Sequence, residues 1–214
     1  MVVRVAQRAA KAKGIDEIAV ATDDARIAKA VQSAGFRAIL TDPACRNGTE
    51  RVAQAARDLP ADAYLNVQGD EPLIDPRAIE ELASLVRAGA PMATLARPLE
   101  TAEEALPQVV KVVLDARGRA LYFSRSLVPF PRSPGLVPPL AHIGLYGFAK
   151  GTLQELVRLA ETPLERAEGL EQLRALFHGI PIQVGVVPYK SVAVDTAEDL
   201  ETVRRLYSTK GGHG

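Results

Sequence analysis

Two hydrophobic periods alternate along the first 90 residues, and this alternation limits the fold more than any other feature of the sequence. Val2, Val5, Ala6, Ala9 and Ala10 recur at helical spacing against Arg4, Arg8, Lys11 and Lys13, until Gly14 stops the stripe. Ile18–Ala19–Val20–Ala21 then reads as a short buried strand, and Thr22–Asp23–Asp24 can cap the next helix. That helix, about 24–34, carries Ile27, Ala28, Ala30 and Val31 on one side and stops at Gly35. Phe36 to Leu40 is strand, Thr49 to Leu59 helix, and Ala63–Tyr64–Leu65–Asn66–Val67 strand again. Asp75–Pro76 supplies an N-cap with proline at the first helical position, opening a helix to about Arg87. Units of this length imply right-handed crossovers and a mostly parallel sheet flanked by helices.

The second half changes character. Met92 to Arg97, Val109 to Leu114 and Leu121 to Phe123 are strand-like, with Asp115–Ala116–Arg117–Gly118 as a hairpin turn. Pro129, Pro131, Pro134, Pro138 and Pro139 make 127–139 an irregular loop, long enough to be functional. Ile143 to Phe148 is another apolar strand. Thr162–Pro163–Leu164–Glu165 is a capping-box pattern opening a helix to about Phe177. Ile182 to Val187 and a helix at about 197–207 close the pattern, and a disordered tail is expected over 208–214. One α/β domain over 1–207 is the organisation these segments predict.

Composition narrows the partners. The 214 residues hold 26 Lys plus Arg against 26 Asp plus Glu, so no basic stripe nominates nucleic acid or an anionic membrane. A single cysteine, Cys45, cannot form an internal disulfide, which fits a reducing cytoplasm. No apolar run approaches the roughly 18 residues of a membrane span, and Arg is spaced through the first eight residues as in neither a span nor a signal peptide. Walker-type loops, Gly-x-Gly-x-x-Gly, zinc-ligand spacing and a nucleophile elbow are all missing from the sequence, which removes support from hydride transfer, P-loop ATPase activity and serine hydrolysis.

In open α/β sheets ligands sit beyond the carboxyl ends of strands. After the third strand come Gln68–Gly69–Asp70–Glu71–Pro72. Gly69 lets the backbone pass close to a ligand, and Asp70 offers the hard oxygen that binds Mg²⁺ beside phosphates, although the same residues also suit a plain turn. Arg46–Asn47–Gly48–Thr49–Glu50–Arg51 stands at a helix start and is either an N-cap or a seat for a phosphate or base edge. Asp195–Thr196–Ala197–Glu198 is a capping box unless Asp195 faces Asp70 across the sheet edge, where two carboxylates could share Mg²⁺. His142, Gly144 and Tyr146 share one strand face, poor for a core and good for hydrogen-bonding a sugar. Arg125, at a strand end, is either a surface cation or a bidentate holder of a carboxylate. Glu168, Glu171 and Gln172 share a helix face at i, i+3 and i+4 spacing, where a solvated face is the default.

Taken in order, Gly48–Thr49–Glu50–Arg51, Asn66 to Pro72, Leu121 to Arg125, His142 to Gly147, Leu170 to Arg174 and Val194–Asp195–Thr196 resemble the 3-deoxy-D-manno-octulosonate cytidylyltransferase (CMP-Kdo synthetase) family over nearly all of residues 1–207. The resemblance implies a nucleotidyltransferase fold with a smaller β-rich dimerisation and sugar-binding lobe inserted at about 115–150, a homodimer, and Mg²⁺-dependent conversion of CTP and Kdo to CMP-Kdo and pyrophosphate for lipopolysaccharide. Asp70 and Asp195 match the family's catalytic, metal-binding carboxylates. Gln68, Arg125, His142, Tyr146, Glu171 and Gln172 match its sugar-binding region, Gly48 and Thr49 the segment along the cytidine, and Gly69 stands with them as a substrate-binding position.

In that family a strand and a loop of the form Pro-Ala-Arg-x-x-Ser-x-Arg-Leu-Pro-Gly-Lys-Pro-Leu precede the first helix and wrap the triphosphate. This sequence opens within the helix, at Met1–Val2–Val3–Arg4. The comparison implies exposed apolar surface, unpaired backbone groups, lowered stability and weak catalysis for a chain of this length. Two alternatives follow: a catalytically impaired dimeric protein that binds nucleotide or sugar, and a cytidylyltransferase for another acidic sugar such as a neuraminate.

Overall fold

The computed structural model describes residues 1–133, 135–190, 193–194 and 196–210, with side chains as far as 207. Its opening follows the predicted alternation. Helix α1 (Val2–Ala9) turns Val5, Ala6 and Ala9 inward. Strands β1 (Ala19–Thr22) and β2 (Arg37–Leu40) pair in parallel across α2 (Ala25–Ser33), where Asp24 caps by accepting from the Arg26 N–H. Next come α3 (Gly48–Ala55), β3 (Ala63–Asn66) and α4 (Pro76–Arg87), the last opened at the predicted Asp75–Pro76 cap.

The second half supplies β4 (Met92–Pro98), a 3-10 turn at Thr101–Glu103, and the hairpin of β5 (Lys111–Leu114) and β6 (Ala120–Ser124). Then follow β7 (Leu140–Ala149), α5 (Lys150–Leu156), α6 (Pro163–Glu168), α7 (Gln172–Phe177), β8 (Ile182–Val186) and α8 (Ala197–Lys210). The main sheet runs β6–β5–β7–β4–β8, with β3 also on β7. Among the described residues β1 pairs with β2, and β3 with β7, and α3 packs against both β1 and β3.

The sheet flanked by helices is as predicted, but its ladder is mixed where the alternation predicts mostly parallel pairing. The cause is β7. This ten-residue strand returns antiparallel between β3 and β4, and β5 joins its other end, leaving β1–β2 and β4–β8 as the parallel pairs. A second correction concerns the helix predicted to run to Phe177. Gly169 adopts φ 61°, ψ 41°, a left-handed cap that ends α6 and re-aims the chain before α7. The last helix also continues to Lys210, past the predicted end at 207; residues 211–214, like Pro134 and Asp195, lie outside the described residues. Among the described residues no helix is long and apolar enough to cross a membrane.

Each face of the main sheet covers a core. One gathers Met92, Phe123, Phe148, Leu153, Leu156, Leu173 and Ile182, and the other Val5, Ile79, Leu82, Leu95, Ile143 and Leu145. Alternate β7 residues serve the two faces, as a period of two requires. Gly147 marks the tightest approach: a Cβ there would lie 2.6 Å from Val86 Cγ2 and 3.1 Å from Leu65 Cδ2. Gly147→Ala is therefore expected to lower stability by about 1–3 kcal/mol through overpacking against α4. Chemical denaturation checks this, with the slope unchanged and the midpoint shifted.

Candidate active site

Four segments converge beyond the β3 end of the sheet. The register sets Asn66 opposite Tyr146, so Gln68, Gly69 and Asp70 leave β3 beside the His142–Tyr146 stretch of β7. Gly48 opens α3 against the same place, where a Cβ would stand 3.2 Å from Asn66 Nδ2 and 3.8 Å from Gln68 Nε2. Glycine is needed here for close approach. The α3 start keeps its capping role as well, because Asn47 Oδ1 accepts from the Glu50 N–H at 2.9 Å. The next residue joins the fourth segment: the Thr49 hydroxyl donates to Glu171 Oε2 at 3.1 Å across 122 residues of sequence.

His142, Gly144 and Tyr146 share one face as predicted, half-buried while Ile143, Leu145 and Gly147 between them are buried. The His142 ring stands edge-on to Phe123 at 5.0 Å and tilted on Tyr146 at 5.5 Å. Loss of water around it pulls the imidazole from its ordinary 6.5 down to about 3, so the ring is neutral at physiological pH. Burial, reinforced by the Glu171 carboxylate, pushes the Tyr146 phenol upward and keeps it protonated. Burial likewise raises Glu171; opposing this are the Thr49 hydroxyl and the nearby Arg174, while Glu165 and Glu50 add to the rise.

Because the folded His142 titrates below the unfolded one, its effect on stability has a definite sign. The contribution is complete above about pH 6.5 and is lost as pH falls toward about 3, where the unfolded state takes up the proton first. His142→Gln removes that linkage, so acid unfolding followed by circular dichroism should be shallower in the variant between those limits.

The other predicted residues separate. Glu168 and Glu171 do not share a helix face, because Gly169 breaks the helix between them. Glu168 instead accepts from Ser124 Oγ at 2.8 Å and from the Arg125 N–H at 2.9 Å, pinning α6 to the end of β6. Nor does Arg125 present an open fork. Its Nε donates to the Glu168 carbonyl at 2.6 Å, Nη1 to the Pro107 carbonyl at 3.0 Å and Nη2 to the Gly169 carbonyl at 3.3 Å. A guanidinium has five N–H groups, so two remain after the turn has been held.

Among the described residues Asp70 Oδ1, Gln172 Nε2 and Arg174 Nη1 are buried without a hydrogen-bond partner. Atoms left this way in a folded protein call for an explanation, and a ligand is one. Asp70 Oδ1 is a hard anionic oxygen without a donor, the chemistry a divalent cation satisfies. The Val194 N–H donates to the Asp70 carbonyl at 3.0 Å, so Val194 lies beside Asp70. Among the described residues no group of three or more His, Cys, Asp or Glu could hold a metal unaided. Two carboxylates completed by substrate phosphates, the arrangement Mg²⁺ commonly takes, need no such group. Sequence reasoning missed Thr94 and Arg174 as contributors. Their signals are a lone Thr within Met92–Ala93–Thr94–Leu95–Ala96 and an Arg buried on an apolar helix, both of which require partners.

Known proteins resemble this chain over most of its length. A family model described as cytidylyltransferase matches residues 1–182. The 3-deoxy-manno-octulosonate cytidylyltransferase of Myxococcus xanthus (strain DK1622) is 52% identical over 215 residues, covering 99% of this chain and 87% of its own length. That of Anaeromyxobacter sp. (strain Fw109-5) is 51% identical over 209 residues, covering 96% and 85%. A solved structure of CMP:2-keto-3-deoxy-manno-octonic acid synthetase complexed with CTP superposes with a TM-score of 0.94 at 41% identity, covering 98% of this chain and 88% of that one.

Proposed function

The chain belongs to the cytidylyltransferase family, and on that premise we propose that it transfers a cytidylyl group from CTP to the anomeric hydroxyl of Kdo, giving CMP-Kdo and pyrophosphate. The geometric observation that carries this reading is the Thr49–Glu171 hydrogen bond, which ties the segment proposed for cytidine to the segment proposed for the sugar. A protein that joins two substrates must hold them side by side, and this bond brings the two segments together.

In the reaction the 2-hydroxyl of Kdo attacks the α-phosphorus of CTP in line and pyrophosphate departs, with no bond to the protein. The work of the chain is therefore positioning and charge placement. Gly48 and Thr49 lie along the cytidine. Gln68, Gly69, His142, Tyr146, Glu171 and Gln172 hold the sugar: Glu171 accepts from its hydroxyls, the Gln172 amide donates, and the protonated Tyr146 can do both. Arg125 keeps the Gly169 turn in place and has two N–H groups left for the sugar carboxylate. Asp70 and Asp195 would hold Mg²⁺, which when bound neutralises phosphate charge and lowers the pKa of the attacking hydroxyl.

The wider setting in this proposal is a cytoplasmic homodimer supplying activated Kdo for lipopolysaccharide. The single Cys45 supports the compartment. Exposure of Phe130 at 83% and Leu136 at 78%, in the lobe predicted to dimerise, supports the assembly.

Incubation with CTP, Mg²⁺ and either Kdo or a neuraminate, with products identified by mass, tests the substrate. CMP-Kdo alone is expected. CMP-neuraminate would move the chain to another acidic sugar, and saturable binding of CTP and Kdo without product would make it a non-catalytic binding protein.

A further inference from the structure

The β4–β7 ladder is interrupted beside His142. Leu95 pairs with Ile143 and Thr94 with Tyr146, so Gly144 and Leu145 form an irregularity on β7. Bulges of this kind re-aim side chains and recur next to active sites. Thr94, fully buried, stands at the break. Its Oγ1 lies 2.7 Å from the Leu145 carbonyl, 3.2 Å from the Ile143 carbonyl and 2.9 Å from His142 Nε2.

One hydroxyl has one proton. Carbonyl oxygens only accept, so the Thr94 proton goes to the carbonyls of the bulge, with Leu145 the nearer. What Thr94 offers His142 is then a lone pair, and Nε2 must carry the ring proton. A neutral imidazole protonated on Nε2 has a bare Nδ1, and among the described residues Nδ1 has no partner.

We infer that Thr94 is a positioning residue: by tying down the β7 bulge and accepting from Nε2, it fixes His142 as a hydrogen-bond acceptor, with Nδ1 turned to a sugar hydroxyl. The inference rests on the sugar-side role proposed above for His142. It adds a direction, since the site takes a hydroxyl proton at this point and does not give one. A sugar carrying a pure acceptor there would be rejected, because two lone pairs would face each other.

Histidine ¹⁵N shifts of the substrate-free protein at neutral pH, with Thr94→Val and Thr94→Ser as variants, test this. The wild type and T94S are expected to show a protonated Nε2 and a bare Nδ1 for His142, and T94V a mixture of tautomers. In turnover, T94V is expected to raise KM for Kdo about tenfold, the worth of one lost neutral hydrogen bond. KM for CTP should hold, and T94S should restore the sugar value. A protonated Nδ1 or an imidazolium in the wild type overturns the inference whatever the substrate is, and that measurement stands even if T94V fails to fold. The expected tautomer together with an unchanged KM for Kdo in folded T94V overturns the positioning role. If Kdo is not a substrate at all, the wild type shows no turnover with it, which separates failure of the functional reading from failure of this one.

Discussion

Replacing Asp70 by Asn is expected to lower kcat by at least about 10³-fold while leaving the fold as stable as before. One atom decides both halves. Among the described residues Asp70 Oδ1 is buried and accepts no hydrogen bond, so an amide in its place breaks no bond at this atom. The same carboxylate is the proposed Mg²⁺ ligand, and metal stabilisation of charge on transferring phosphates is worth several kcal/mol, each 1.36 of them a factor of ten in rate. Initial rates of pyrophosphate release and a thermal melt check the two halves together. A variant that keeps more than a tenth of the wild-type rate, or that melts many degrees lower, would remove Asp70 from the metal site.

The second large effect lies behind the sugar segment. Arg174 donates through Nε to Glu165 Oε2 at 2.8 Å and through Nη2 to Glu165 Oε1, and the two side chains are only 3% and 7% exposed. Glu165 also closes the capping box with Thr162 at the start of α6. This pair holds α6 and α7 on either side of the Gly169 turn, and so aims Glu171 and Gln172. Arg174→Met strands a buried carboxylate and is expected to cost about 3–5 kcal/mol. Glu165→Gln with Arg174→Met keeps the cap and buries no lone charge, so the double variant should regain most of that loss. Denaturant midpoints of the three proteins decide it, and equal losses in single and double variants would contradict it.

The sequence made the opening third of the fold legible because each element there carries its own signals. Asp24 and Asp75 cap the helices predicted for them, and β1, β2 and β3 fall within a residue or two of the apolar runs. Pairing was less legible. A strand's hydrophobic pattern states which face is buried but not which neighbour it meets, so the return of β7 between β3 and β4 left no local trace. Gly169 was visible as a glycine, yet only tertiary contact decides whether a glycine ends a helix or is tolerated within it.

The site divides in the same way. His142 and Tyr146 were found together because a period of two puts them on one face. Thr49 and Glu171 were found separately, and no local pattern predicts a bond over 122 residues. Arg125 shows the opposite error, since a strand-end guanidinium looks free until the carbonyls of Pro107, Glu168 and Gly169 are seen around it.

Pyrophosphate release by this chain with CTP, Kdo and Mg²⁺, each omitted in turn, tests cytidylyl transfer most directly. Release that requires all three is the expected result. Release that continues without Kdo, or none from folded protein that binds both CTP and Kdo, would contradict it.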